Sequence, residues 1–353
     1  MIVERRASRP LALVLLAPVA AIAAALCLSG ILIALAGAPV LEAFGRIATG
    51  AFGSRLSATE TLLRACPLIL TGLAAAVAFR ARVWNIGGEG QLYLGALATV
   101  ALGFSNPLGL PGPLLTVLLM AAGALAGALL LLGPLALRLR FGVDEVVTTL
   151  LLNFVVLLVV SLMVEGPLKD PLAFGWPRSV PVLADATLPK IVARSRLHLG
   201  LLLAIGAALL VWFIQSRSTF GLESRATGLS PEGASFAGVP LRRTLLKVGF
   251  LSGGLAGLAG AIEVLGNRLY VSTDLSPGFG YAGIVVAMLA GLNPLGAVLA
   301  AIFAAAMFVG SDSMGRALGV PSFIADVTVS LCLLTMLVAL FFSTYRLRRE
   351  RPA

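Results

Sequence analysis

A chain of 353 residues that is 59% hydrophobic and only 12% charged, with a mean hydropathy of +1.02, is far from the roughly 25% charged composition of soluble domains. Three scattered cysteines, Cys27, Cys66 and Cys332, argue against both a disulfide framework and a zinc site, and they read as small packing residues. The formal charge of +10 comes from basic residues placed between apolar runs, a pattern that marks membrane topology rather than a nucleic-acid-binding stripe.

The expected fold is an all-α polytopic membrane protein, a single transmembrane domain over residues 1–353. After "MIVERRASRP" a first span is expected over 11–37, because this apolar stretch far exceeds the roughly 7–15 residues of a signal-peptide core. Further runs fall at 60–79, 89–105, 113–137, 146–164, 198–215, 244–265, 280–291, 294–311 and 322–343, giving about ten transmembrane helices. The run 280–291 is short and is either a tilted span or a half-helix. With the N-terminus inside, 16 of the 26 basic residues fall on cytoplasmic segments, so both termini are expected there. Residues 165–197 then form an extracytoplasmic loop and 216–243 a cytoplasmic one.

The stretch "WNIGGEGQLYLG" from Trp84 to Gly95 places Asn85, Glu89 and Gln91 among three glycines between two apolar runs. A carboxylate facing lipid at mid-depth costs about 2.5–3.5 kcal/mol, so Glu89 should face a cavity, a partner or the interface. The glycines permit non-helical backbone, tolerated at membrane depth only where protein or water satisfies it. The stretch reads either as a broken, Gly-interrupted segment lining a pathway or as a plain cytoplasmic turn marked by Arg80 and Arg82. In "DEVVTTLLLNFVV", Glu145, Thr149 and Asn153 are four apart and share one helical face. That stripe suits an interior surface, or helix-to-helix hydrogen bonding.

Close helix packing is signalled by GxxxG at Gly123/Gly127 and at Gly253/Gly257. "GEGQLYLGALATVAL" and "GFGYAGIVVAMLAGL" both put Gly-x-Gly before an apolar run, faintly like a transporter repeat. In the cytoplasmic loop, Ser230, Pro231 and Glu232 have the order of an N-cap, an N1 proline and a first-turn acid, which predicts a short helix over about 231–238. Catalytic motifs are missing from the sequence: no phosphate loop, no HExxH, and a single histidine, His198, which reads as an interfacial residue rather than a ligand.

"NIGGEGQLYLGALA", "DEVVTTLLLN", "RATGLSPEGASFAGV" and "GYAGIVVAMLAGLNPLGA", in that order, resemble the permease subunits of bacterial ABC importers of the branched-chain amino acid and simple-sugar class. The chain is most similar to the nucleoside permeases within it. The resemblance implies a transport subunit rather than an enzyme, in the bacterial cytoplasmic (inner) membrane. It would have no cofactor of its own, with ATP held by a separate ABC ATPase. The other implied partners are a second permease subunit, expected to be a different chain, an extracytoplasmic substrate-binding protein and membrane lipids; no nucleic acid is implied. The solute-pathway candidates are Asn85, Glu89, Gln91, Glu145, Thr149 and Asn153, and Arg225, Gly228, Ser230, Ala234 and Gly238 fall in the segment that resembles the ATPase-coupling loop. A simple-sugar permease is the alternative, with an ion-coupled secondary transporter or a membrane-embedded enzyme behind it.

Overall fold

The computed structural model describes residues 2–5, 23–24, 27–35, 37–107, 109–319 and 322–348. Most of the expected first span over 11–37 lies outside the described residues; its last part is helix α1, Cys27–Leu35. Then follow α2 (Val40–Phe52), α3 (Arg55–Arg80), α4 (Gly88–Gly103), α5 (Gly112–Phe141), α6 (Glu145–Glu165), α7 (Gly200–Arg217), α8 (Thr219–Leu229), α9 (Pro231–Phe236), α10 (Leu241–Glu263), α11 (Phe279–Leu289), α12 (Pro294–Leu318) and α13 (Ser322–Thr344). A single π-helical turn, Val264–Arg268, prolongs α10. Two four-residue strands, β1 (Ile2–Arg5) and β2 (Tyr345–Arg348), pair antiparallel.

Six helices, α3, α5, α6, α7, α10 with its π turn, and α12, are long and apolar enough to cross a membrane, or seven if α1 and α2, bent by 115°, form one broken span. The chain is an all-α membrane protein, and six or seven of the about ten expected crossing helices are found among the described residues by this measure. Helix α4 has 16 residues and α11 only 11. At 1.5 Å per residue α11 rises about 16 Å, half of a hydrocarbon core, so the half-helix reading of that run holds. Two differences concern the polar segments. Residues 38–64, which fall largely between the expected apolar runs, carry α2 and the start of α3, and α2 pairs Glu42 with Arg46 at 3.2 Å on its exposed side. Residues 216–243 hold two helices where one was expected, because Ser218 caps α8 by accepting the Gly221 N–H at 3.2 Å.

The chain divides into two compact units, residues 1–61 with 303–353, and residues 62–302. In the first, Ile33, Ala43 and Met314 form a buried cluster bordered by Val40, Phe44 and Ile47. The second is built on α4, α5 and α10, which touch through glycines. A β-carbon on Gly127 would lie 2.4 Å from the Gly253 carbonyl, and one on Gly257 2.3 Å from the Gly123 carbonyl, so the two GxxxG motifs face each other. Helix α4 joins from its own side: Cβ atoms on Gly95 and Gly260 would stand 2.2 Å from Gly257 O and 1.9 Å from Leu92 O. Backbones this close gain dispersion and Cα–H···O contacts that larger residues would forbid.

Gly257→Leu should therefore force three helices apart and cost about 3 kcal/mol, the upper range for overpacking. Gly133→Leu, where an added Cβ meets nothing within 4 Å, should be neutral. Size-exclusion chromatography of detergent extracts reads this as loss of the folded peak for the first variant alone; equal recovery of both would refute the close-packing account.

Candidate functional site

Between α3 and α4 the backbone leaves the helix at Ala81 and resumes at Gly88, and side chains from three other elements gather on this break. Helix α6 is capped by Asp144, whose carboxylate accepts the Val146 N–H at 2.8 Å. Its stripe Glu145, Thr149, Asn153 is buried and continues as buried Val156, Val160 and Val164. The four-residue spacing thus turns one face of α6 onto the break.

Each polar member of that face meets a main-chain group. Glu145 accepts the Trp84 N–H at 3.2 Å, Thr149 the Ile86 N–H at 3.2 Å, and Asn153 the Gly90 N–H at 2.8 Å, while the Asn153 amide donates to the Ile86 carbonyl at 3.0 Å. Asn85 closes the remainder: its oxygen accepts from Gly87 N–H at 3.0 Å and from Gln91 at 2.8 Å, and its amide donates to Gln91 at 2.9 Å and Ser252 at 3.0 Å. Ser252, on α10, donates in turn to the Ala74 carbonyl at 2.7 Å. The glycines make room, since a Cβ on Gly90 would be 2.9 Å from the Asn153 oxygen.

Glu89 has a different task. One oxygen accepts the Gly280 N–H at 2.6 Å, and a Cβ on Gly280 would come within 2.1 Å of the Glu89 nitrogen. The carboxylate therefore sits at the N-terminus of α11, where free N–H groups and the helix dipole favour negative charge. The two Gly-x-Gly segments that resemble each other in sequence meet here, start to start. Tyr93, one turn further along α4, donates to Thr273 O at 2.7 Å and accepts from Ser276 N–H at 3.1 Å, fixing the segment that leads into α11.

All six sequence-derived pathway candidates thus converge, and all six are buried. Reading single residues missed the groups that complete the cluster. Arg138, taken for a topology marker, forms an ion pair with Glu145 and donates to Arg82 O at 3.1 Å, tying the break to the turn between α5 and α6. Ser252 is hidden inside a glycine motif, and Tyr281, whose hydroxyl accepts from Asn153 at 3.1 Å, lies in the second Gly-x-Gly segment, where only the glycines drew notice. Among the described residues no three His, Cys, Asp or Glu side chains gather as a metal site requires.

The second constellation is the α8–α9 elbow. Ser230 caps α9 by accepting the Gly233 N–H at 3.1 Å, as its sequence context predicts, and Thr244 of α10 donates to Glu223 of α8 at 3.1 Å. Arg225, Ser230 and Gly238 are exposed, the last at φ +85°. Gly228 and Ala234 are not available to a partner. A Cβ on Gly228 would be 2.1 Å from the Arg80 carbonyl, which seats α8 on the end of α3, and Ala234 is 4% exposed. The outward surface is apolar instead, with Phe236 97% exposed beside exposed Leu229 and Leu222.

His198 is buried within the protein, just ahead of α7. Its Nδ1 accepts the Gly200 N–H at 3.1 Å, and burial lowers its pKa to about 4.

The branched-chain amino acid transport system / permease component family matches residues 57–341. The chain is 35% identical to a guanosine ABC transporter permease protein of Bacillus subtilis, covering 91% of this chain and 92% of the relative. It is 33% identical to a glucose ABC transporter permease protein of Haloferax volcanii, over 93% and 88%. A nucleoside ABC transporter permease protein of Lactococcus lactis is 31% identical, over 84% and 85%. No solved structure matches.

Two predictions follow from the geometry. Glu89→Ala and Asn153→Ala strip partners from buried N–H groups, at about 1–3 kcal/mol each, so both should lower uptake together with the melting temperature of the purified protein. Lost uptake at unchanged melting temperature would instead put these side chains in direct contact with solute. For His198, an unfolded chain binds a proton below about pH 6.5 while the folded one resists until about pH 4, so folding stability is full above the first value and falls as pH drops toward the second. As His198 is the one histidine of the sequence, a histidine-labelled sample with a histidine-free tag should show one side-chain resonance that does not move between about pH 8 and 5; a midpoint near 6.5 would refute the burial argument.

With a family match over most of its length, an apolar helical architecture and relatives of the same length and kind, the chain belongs to the branched-chain amino acid transport system / permease component family, and it is an ABC transporter permease subunit, a transport component rather than an enzyme.

Proposed function

We propose that this permease imports nucleosides across the cytoplasmic membrane, driven by ATP hydrolysed on a separate ATPase subunit. The observation that carries the reading is the 35% identity to a guanosine ABC transporter permease protein over 91% of the chain. The nucleoside permease of Lactococcus lactis supports the same class. A sugar is the second reading, favoured by the glucose permease of Haloferax volcanii at 33%. Reconstituted with its ATPase, its partner permease and its binding protein, the complex should take up labelled guanosine only with ATP, and excess glucose should not compete. ATP-dependent uptake of labelled glucose but not of labelled guanosine would move the assignment to sugars, and uptake by the permease alone would move it to an ion-coupled carrier.

In this reading the break between α3 and α4, with the start of α11 against it, forms the fixed wall beside which solute passes, and the polar side chains support the wall from behind. The elbow of α8 and α9 docks the ATPase on the cytoplasmic side, with both termini on that side and the segment 165–197 outside. The pairing of β1 with β2 supports one side for both termini. A binding protein delivers solute to the outer face, and a second permease subunit completes the pathway.

Docking rests on Phe236, because a nearly fully exposed aromatic on a capped helix is an anchor for a partner's pocket. Phe236→Asp should leave the permease in the membrane at normal amount, release the ATPase on purification and cut ATP-driven uptake more than tenfold. Retention of the ATPase with full uptake would remove this elbow as the coupling site. Ala234→Trp is a poorer probe, since Ala234 packs inward and its replacement would disturb the elbow itself.

A further inference from the structure

Helix α10 and its π turn run without interruption from Leu241 to Arg268, about 42 Å at 1.5 Å per residue. The residues that follow directly, Tyr270 to Asp274, therefore lie at the opposite end of this unit from the α8–α9 elbow. There they form one wall of an open cleft of about 620 Å³, and Trp176, Pro177 and Arg178 form the other. The walls are tied to each other. Arg178 and Ser272 form an isolated antiparallel bridge, Ser179 N–H donates to Val271 O at 2.8 Å, and Val271 N–H donates to the Ser179 hydroxyl at 2.8 Å.

We propose that this cleft binds an uncharged solute with a flat heteroaromatic ring and sugar hydroxyls, that is a nucleoside and not a nucleotide, as the first station on the outer face. The ligand class rests on the nucleoside reading above, and the cleft itself on four observations. Trp176 is 76% exposed and faces a cleft that also holds the Tyr270 ring, so a flat ring can stack there. The cation is already committed: Arg178 lies 5.2 Å over the Tyr270 ring and holds Asp170 through Nε at 3.0 Å and through a second nitrogen at 2.8 Å. Asp274 is exposed, makes no ion pair among the described residues, and offers a carboxylate that accepts from hydroxyls and repels phosphate. Ser272 lines the cleft at 5% exposure, and its hydroxyl oxygen has no hydrogen-bond partner, although buried hydroxyls are ordinarily paired. A tryptophan that served only as a membrane-interface anchor would not need that group beside it. The chain that lines the cleft leads inward, since Thr273 and Ser276 are held by Tyr93 and the segment then reaches Gly280 on Glu89. Solute released from the cleft thus follows a continuous segment to the break.

Trp176 is its own reporter. In the permease–ATPase complex without binding protein, guanosine should quench tryptophan fluorescence saturably, guanosine monophosphate and ribose should not, and Trp176→Phe should abolish the effect. Asp274→Asn should weaken guanosine binding about tenfold. In uptake, Trp176→Ala should raise KM about tenfold at unchanged maximal rate and unchanged retention of the binding protein. Absence of saturable quenching, quenching that survives Trp176→Phe, or loss of the binding protein in Trp176→Ala would each overturn the proposal. The last result would make the cleft a protein-docking surface. Guanosine uptake by the unaltered complex without Trp176 quenching refutes the cleft and leaves the import reading standing; quenching without uptake does the reverse.

Discussion

A backbone that leaves the helix inside an apolar protein must have its N–H and C=O groups met by protein or water, and this requirement organises the larger unit of the permease. The break after α3 exposes the N–H groups of Trp84, Ile86, Gly87 and Gly90, and each finds a side chain within hydrogen-bonding distance. Those side chains are Glu145, Thr149, Asn85 and Asn153, so the position of α6 is dictated by the break it serves. The same logic places Glu89, which meets the free end of α11. Polarity in this chain is accordingly concentrated where regular structure stops.

That arrangement changes the meaning of buried polar residues in a transporter. Isolated in sequence, a carboxylate and two amides in an apolar run suggest contact with solute. In the fold their hydrogen-bonding capacity is spent within the protein: Asn85 makes four bonds, one to main chain and three to the side chains of Gln91 and Ser252, and Asn153 makes three, two of them to main chain. Their substitution should be felt first as disorder of the wall and only then as lost transport.

Much of this was legible in the sequence, for identifiable reasons. The apolar runs give the helices because a crossing needs a minimum length, and the four-residue spacing of Glu145, Thr149 and Asn153 names the buried face of α6. Ser230–Pro231–Glu232 places a helix start at the right residue, since capping is a local interaction. What sequence did not give is long-range or directional. That Gly-x-Gly at Gly88 meets Gly-x-Gly at Gly278 depends on the tertiary fold, and so does the ion pair of Arg138 with Glu145. The side on which Ala234 faces inward and Phe236 outward depends on how α9 is set on α8 and α10, which composition does not encode. His198 sits beside a π turn, against which Gly266 leaves it room, and no periodicity announces such a turn.

The glycine contacts among α4, α5 and α10 have a mechanical consequence. Where backbone rests on backbone, sliding one helix by a single residue brings a side chain onto a carbonyl, so small displacements are blocked by steric overlap. The nearest alternative seating exchanges one glycine of a GxxxG pair for the next, a step of four residues or about 6 Å along the axis, far beyond thermal fluctuation in a packed bundle. These three helices form a stator with discrete settings and nothing in between, and whatever moves during a transport cycle has to move around them.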